Sequence, residues 1–149
     1  MRISKPMIYV SGIIITLTAC TVSKQSAHVI VNNESGENIP MHLVISDQEN
    51  GKTKEDIHYS LKPGLQNIPI RKFPKGSYAI EVNTHNGAIC KKYPLALDTD
   101  RWVMVTYMQD DSLRLHKKYG YVDTSELKKI NGKYAGLNLY VENRRPPNL

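Results

Sequence analysis

The stretch Phe73–Val82, which reads FPKGSYAIEV, decides the fold of this chain. It begins with a proline and glycine turn and continues with Tyr78, Ile80 and Val82 at every second position. Side chains of a β-strand point alternately to its two faces, so this spacing places three apolar side chains on one face. The stretch therefore predicts a turn followed by a strand that is buried on one side.

Similar strands and turns continue on both sides of this stretch. Asn50-Gly51, between two such runs, is a strong hairpin signal because both residue types accept a positive φ. Trp102–Met108 is apolar on both faces apart from Thr106, which is typical of a central strand. The predicted strands cover residues 28–31, 41–46, 56–61, 78–82, 87–95, 102–108, 112–119 and 137–141. Short strands that recur about every 10–13 residues predict an all-β chain with a single antiparallel β-sandwich over residues 28–142.

The last part of the chain departs from this pattern. Residues 123–130 predict one short C-terminal helix that Asp123 or Thr124 caps and that ends near Asn131-Gly132. Residues 143–149 contain two arginines, two prolines and no acid, and proline disfavours both helices and sheet interiors. We expect this tail to be extended and exposed, and to contribute to partner binding more than to stability.

The first nineteen residues have the pattern of a secretion signal. Arg2 and Lys5 are followed by the uncharged run Met7–Leu17. This run is too short to cross the bilayer as a helix, which takes about 20 residues. It matches instead the apolar part of a removable signal peptide.

The segment Leu17–Cys20, which reads LTAC, resembles the lipobox of bacterial lipoproteins. In that family the cysteine thiol is acylated and a peptidase cleaves just before it. The resemblance implies that residues 1–19 are removed and that Cys20 carries lipid, with residues 20–27 as a tether to the membrane. An ordinary secretory signal that contains a cysteine is the alternative. Thr21 stands where an aspartate would retain such proteins at the inner membrane, which favours the outer membrane, facing the periplasm.

A second resemblance rests on Phe73–Val82 and on the rhythm of the strands. A turn that leads through Gly-x-Tyr into an alternating strand is similar to the hairpin of transthyretin-like, carboxypeptidase-regulatory-like and immunoglobulin-like sandwich modules. In those modules the tyrosine packs into the core. The resemblance implies a fold class and no particular activity.

The distribution of charge limits the classes of partner that we expect. Residues 71–149 hold fourteen Lys and Arg against eight Asp and Glu, whereas residues 21–70 hold four against six. A basic surface beside a membrane can meet anionic headgroups, polysaccharide or an acidic protein, while nucleic acid is not an expected partner in the periplasm.

Cys90 is the only cysteine besides Cys20, so no intramolecular disulfide is expected in the lipidated protein. Its strand-like surroundings predict a buried, unreactive thiol.

No motif for catalysis or metal binding is visible. The five histidines form neither a His-Glu-x-x-His motif nor a His-x-His pair; they are His28, His42, His58, His85 and His116. Asp98 to Asp100 and Asp110-Asp111 flank the Trp102 strand and are interpreted as turn residues. There is no Gly-x-Ser-x-Gly elbow. We therefore expect no enzyme activity, no cofactor and no metal site.

The aromatic residues suggest a binding surface. The chain has nine tyrosines against one phenylalanine and one tryptophan. Tyr134 and Tyr140 lie late in the chain, close to Arg144 and Arg145, and tyrosine and arginine are enriched where proteins bind partners. We expect these four residues to contact an envelope protein or a glycan. Tyrosines that merely cover the ends of the sandwich are the structural alternative.

The sequence thus predicts a lipid-anchored binding or scaffold protein of the cell envelope. Two other functions stay open: an accessory lipoprotein of a secretion system, and an envelope hydrolase whose site is assembled from scattered His and Asp. A trio of His and acid in a cleft would favour the hydrolase. A flat Tyr and Arg patch near Arg144-Arg145 would favour a partner.

Overall fold

The computed structural model describes residues 22–147, so the predicted signal peptide and Cys20 lie outside the described residues. The strands are β1 (Lys24–Gln25), β2 (Ala27–Asn33), β3 (Ile39–Asp47), β4 (Thr53–Leu61), β5 (Gly64–Ile68), β6 (Phe73–Pro74), β7 (Gly76–Thr84), β8 (Ile89–Leu97), β9 (Arg101–Asp110), β10 (Lys128–Ile130) and β11 (Lys133–Glu142). One α-helix, α1 (Ser112–Tyr119), and a 3-10 turn, Thr124–Glu126, complete the elements of this range.

Two sheets pack face to face and confirm the prediction of an all-β sandwich. One sheet has five strands in the order β10-β11-β9-β2-β5, and the other has four strands in the order β4-β3-β7-β8. β1 and β6 form a separate two-stranded pair. β9 is the middle strand of the five-stranded sheet, as its apolar sequence predicts.

The core lies between the sheets and is built by the alternation seen in the sequence. In β7, Tyr78, Ile80 and Val82 are all buried. The hydroxyl of Tyr78 donates a hydrogen bond to the carbonyl oxygen of Pro74 at 2.9 Å, so its polar end is satisfied inside the turn. Asn50-Gly51 forms the β3–β4 hairpin, where Gly51 has a φ of 68°. The core positions and this turn were therefore predictable from local pattern alone.

One strand pair differs from the predicted antiparallel arrangement. β2 and β9 run parallel, with Val31 opposite Val105. Alternation specifies which face of a strand is buried, but it carries no information about strand direction. Only a short turn forces two neighbours to be antiparallel, and β2 and β9 are separated by six other strands.

The α-helix lies at Ser112–Tyr119, where the sequence predicted a strand. The carboxylate of Asp111 accepts a hydrogen bond from the backbone N–H of Arg114 at 2.9 Å and so caps the first turn. Leu115 is 2% exposed, whereas Leu113 is 78% exposed. Residues two apart point to nearly opposite sides of a helix, so the strand-like pattern of these two leucines was misleading.

The helix predicted over residues 123–130 is wrong beyond its first turn. Asp123 does cap that turn, since its carboxylate accepts from the N–H of Ser125 at 2.9 Å. The chain then enters β10, which forms a hairpin with β11 through Asn131 and Gly132. Both turn residues have positive φ values, of 49° and 80°. Pairing with β11 satisfies the backbone of residues 128–130 better than one isolated helical turn would.

Candidate functional site

The structure separates the four residues predicted to bind a partner. Tyr140 lies on the solvent-facing side of β11 and is 39% exposed. Arg144 and Arg145 follow β11 and are exposed as well. Tyr134 lies on the same strand six residues earlier, about 20 Å away. Its ring lies 5.8 Å from the ammonium nitrogen of Lys129. Tyr140 and the two arginines are therefore at one end of β11, and Tyr134 is at the other.

The solvent-facing side of the five-stranded sheet, here called the outer face, carries buried apolar side chains. Ile30 on β2 and Met104 on β9 alternate with the core residues of their strands, yet they are only 2% and 9% exposed. Ile30 lies opposite Met104, and Met104 lies opposite Tyr140. Ile30 and Met104 contribute little accessible surface themselves, and the exposed apolar surface beside them comes from Tyr140 and from Leu65 on β5, which is 55% exposed. Exposed apolar and aromatic side chains that lie together on one face are typical of an interaction surface.

Trp102 lies at the edge of these apolar residues, together with cationic groups. Its ring stacks on the His28 imidazole with centroids 4.3 Å apart and an angle of 19° between the planes. The guanidinium carbon of Arg145 lies 5.9 Å from the Trp102 ring centroid. A groove of about 750 Å³ runs beside Trp102 and is lined in part by Ile30, Lys72 and Arg145. The site thus combines an aromatic group, apolar surface and positive charge.

The same end of the sandwich receives the chain from the predicted tether. The backbone N–H of Ser26 donates to Asp100 at 2.7 Å, and the N–H of Arg101 donates to the carbonyl of Ser26 at 2.9 Å. The guanidinium of Arg101 also hydrogen-bonds Asp98 and Asn143. The start of the domain, the start of β9 and the C-terminal tail are therefore joined at one end. Asp98 and Asp100 lie at the opposite end of β9 from Asp110, as predicted.

A second group of polar residues lies on the solvent-facing side of the four-stranded sheet. His42 on β3 is directly opposite His58 on β4, and their rings are stacked with centroids 4.1 Å apart. Asp56 precedes His58 by two residues and therefore points to the same side. Its Oδ1 atom lies 2.7 Å from Nε2 of His42 and 3.8 Å from Nε2 of His58. We call these three residues the histidine cluster.

The histidine cluster was not foreseen by the sequence analysis. No short motif marks it, because His42 and His58 come from different strands, and only the β3–β4 register brings them together. Within residues 22–147, neither imidazole is hydrogen-bonded to a serine, threonine or cysteine side chain. The cluster is a trio of His and acid beside a pocket, the feature that would favour a hydrolase, although no hydroxyl or thiol nucleophile is bonded to it in this range. Its three donor atoms, within 4.8 Å of one another, suit a metal ion instead.

A buried hydrogen-bond chain crosses between the sheets at Tyr107. Its hydroxyl donates to Oε1 of Gln109 at 2.9 Å, and it lies 2.7 Å from Nε2 of His85 in the β7–β8 turn. His85 and Asn86 in that turn have positive φ values of 51° and 55°, which are uncommon outside glycine. Burial, followed by the negative charge of Glu37, raises the pKa of Tyr107 to about 12 from 10.0.

The raised pKa of Tyr107 predicts a loss of stability at alkaline pH. Below pH 10 the tyrosine is protonated in both states, so its stabilising contribution is complete. Between pH 10 and about 12 the unfolded chain loses the proton while the folded chain keeps it. The free energy of unfolding should therefore fall by about 1.4 kcal/mol per pH unit through this group. In urea titrations, Tyr107→Phe should have a shallower alkaline slope, whereas Tyr121→Phe, at an 88% exposed residue, should not. Equal slopes for wild type and Tyr107→Phe would contradict the assignment.

Cys90 is exposed, and the prediction that it is a buried core residue was wrong. It lies on β8, the edge strand of the four-stranded sheet, on the opposite side of the strand from the buried Ile89 and Leu95. Its pKa is nevertheless raised, by partial desolvation and then by the nearby Glu81 carboxylate. A raised pKa reduces the thiolate fraction, so the thiol is a weak nucleophile despite its exposure.

Comparisons with known proteins add no relative: no protein-family model, no curated protein and no solved structure matches the chain. Among residues 22–147, no helix has the length and apolar character needed to cross a membrane.

Proposed function

We propose that this chain is a lipid-anchored binding lipoprotein of the cell envelope, whose outer face holds a partner protein. The observation that carries the proposal is the group of solvent-accessible aromatic and apolar side chains on the outer face, Trp102, Tyr140 and Leu65, which lies next to Arg145. No enzyme activity is part of the proposal.

Lipid anchoring is proposed from the segment Leu17–Cys20, and the fold begins soon after it. β1 begins at Lys24, and the buried core begins at Ala27. A domain that starts so soon after the acylated residue would be held next to the membrane. Because Ser26 bonds to Asp100 and Arg101 bonds to Asn143, the tail arginines lie at the end of the sandwich that the tether enters. The outer membrane, with the domain in the periplasm, is the location that Thr21 favours.

The chemistry of the outer face favours a protein over a glycan. Sugars bind by lying flat on an open aromatic ring, but the ring of Trp102 already stacks on His28 and lies near Arg145. Tryptophan, tyrosine and arginine are the residues most often found at the energetic centre of protein interfaces. The cationic groups around the groove, Lys72 and Arg145, suit a partner with acidic residues around an apolar patch.

A photo-crosslinking amino acid at position 140 should capture this partner in living cells. Position 93 is the matched control, because Tyr93 is 40% exposed and Tyr140 is 39% exposed, but Tyr93 lies on β8 of the other sheet. We expect a discrete protein adduct from position 140 and none from position 93. Adding Trp102→Ala should weaken the association about 30-fold, which corresponds to the 2 kcal/mol expected of a central interface residue.

The outcome of this experiment separates the alternatives. An adduct that returns to the size of the chain alone after treatment with a glycan hydrolase would replace the protein partner with a glycan. Equal adducts from positions 140 and 93 would show that the outer face has no special role.

A further inference from the structure

We propose that the histidine cluster is a binding site for one divalent transition-metal ion, with Nε2 of His42, Nε2 of His58 and a carboxylate oxygen of Asp56 as its ligands. The site lies on the four-stranded sheet and is independent of the outer face, which belongs to the other sheet. The chemical class is that of Zn²⁺, Cu²⁺ and Ni²⁺, because two imidazoles and one carboxylate match the ligands that these ions prefer.

The two distances between the carboxylate and the imidazoles fit a single ion. Two ligands about 2.0–2.1 Å from a tetrahedral ion are about 3.3 Å apart. The Asp56 oxygen is 2.7 Å from one histidine nitrogen and 3.8 Å from the other, on either side of that value. The two imidazole rings are stacked within 3° of parallel, so they would have to rotate out of the stack to direct both Nε2 atoms at one ion. The backbone already supplies the arrangement, since His42 and His58 are a directly opposed pair on adjacent strands.

The exposure of the ligands indicates an open site. The side chains of His42, Asp56 and His58 are 29%, 55% and 79% exposed. A pocket of about 570 Å³ beside the two histidines also contacts Tyr59, Ser60 and Thr84. Three protein ligands leave at least one coordination position for water or an outside ligand, as in open zinc sites.

Asn83 can hold the His42 imidazole in the orientation that a metal ligand needs. Its amide nitrogen lies 3.4 Å from Nδ1 of His42. The oxygen and nitrogen of an amide exchange places by a rotation of the side chain, so the Asn83 oxygen can accept the Nδ1–H of His42 instead. That bond would leave Nε2 of His42 deprotonated and directed at the ion. Such partners of ligating histidines typically contribute 10–100-fold to metal affinity.

Isothermal titration of the full chain with ZnCl₂ tests the proposal. The chain is purified in detergent without a histidine tag. We expect saturation at one equivalent of zinc and at least tenfold weaker binding in His42→Gln, His58→Gln and Asp56→Asn. Asn83→Leu should also weaken binding, although it removes no ligand. The matched control is His28→Gln, because His28 also pairs with an aspartate, Asp100 at 3.7 Å, but has no second histidine beside it.

The spectrum of bound Cu²⁺ gives a second, independent measurement. Electron paramagnetic resonance should show coupling to two nitrogens in the wild type and in His28→Gln, and to one in His58→Gln. Thermal melts without metal check that each variant folds, which is expected because the substituted side chains lie on the surface. The proposal is overturned if zinc does not saturate the site, or if His58→Gln and His28→Gln bind zinc equally well.

Discussion

Replacement of Cys20 by serine is expected to abolish lipid labelling of this protein completely. The segment Leu17–Cys20 is the only part of the chain that resembles a lipobox, and acylation in that family requires the cysteine thiol. Serine has the same shape but cannot form the thioether. Cells that express the Cys20→Ser variant and are grown with a palmitate analogue should show no labelled protein. Because acylation precedes cleavage, the variant should also keep residues 1–19, which mass spectrometry would detect.

Cys90→Ser is the matched control for this experiment. The chain has two cysteines, so any label must be on one or the other. Cys90 is exposed and therefore a plausible target for nonspecific acylation, which makes the comparison informative. Full labelling of Cys90→Ser together with none in Cys20→Ser supports lipidation at Cys20. Labelling that persists in Cys20→Ser would contradict the anchor and, with it, the location of the protein at a membrane.

Much of the sandwich was predictable because the sequence patterns that specify its strands and turns are local. The alternation of Tyr78, Ile80 and Val82 and the turn at Asn50-Gly51 each depend on a few consecutive residues. The errors occurred where local pattern was ambiguous. Ser112–Tyr119 has two leucines spaced for a strand, but the cap at Asp111 and the basic last turn favour a helix. The direction of β2 against β9 is a tertiary property that no short pattern specifies.

The candidate sites were less predictable for the same reason. Tyr140 and Arg145 were identified from composition, but Trp102 and the buried pair Ile30 and Met104 were not, because only the strand register places these side chains together on one sheet face. Cys90 lies on the same exposed side of β8 as Lys92, which is two residues away. The prediction of burial rested only on the presence of a strand and did not take this alternation into account. The histidine cluster could be predicted only if the register between β3 and β4 were known.

The prediction with the largest effect on stability concerns the stretch from which the fold was first inferred. Ile80 is fully buried at the centre of β7, between Ile45 on β3 and Tyr93 on β8. Ile80→Asp removes an apolar side chain, which costs about 2–5 kcal/mol in a packed core. It also places a carboxyl group where no partner is available, at a further cost of about 1–3 kcal/mol or more. Since domains of this size are stable by about 5–15 kcal/mol, we expect the variant to be largely unfolded.

Glu81→Asp provides the control for this prediction, because it places the same side chain at the next position of β7. Glu81 lies on the solvent-facing side of the sheet and is partly exposed, so the new carboxylate stays hydrated there. Circular dichroism and urea titration should give a native spectrum and a nearly unchanged midpoint for Glu81→Asp, against a lost transition for Ile80→Asp. If both variants folded equally well, β7 would not separate core from solvent by alternation. The inference that begins with FPKGSYAIEV would then fail, because that alternation is what makes the four-stranded sheet one half of a sandwich.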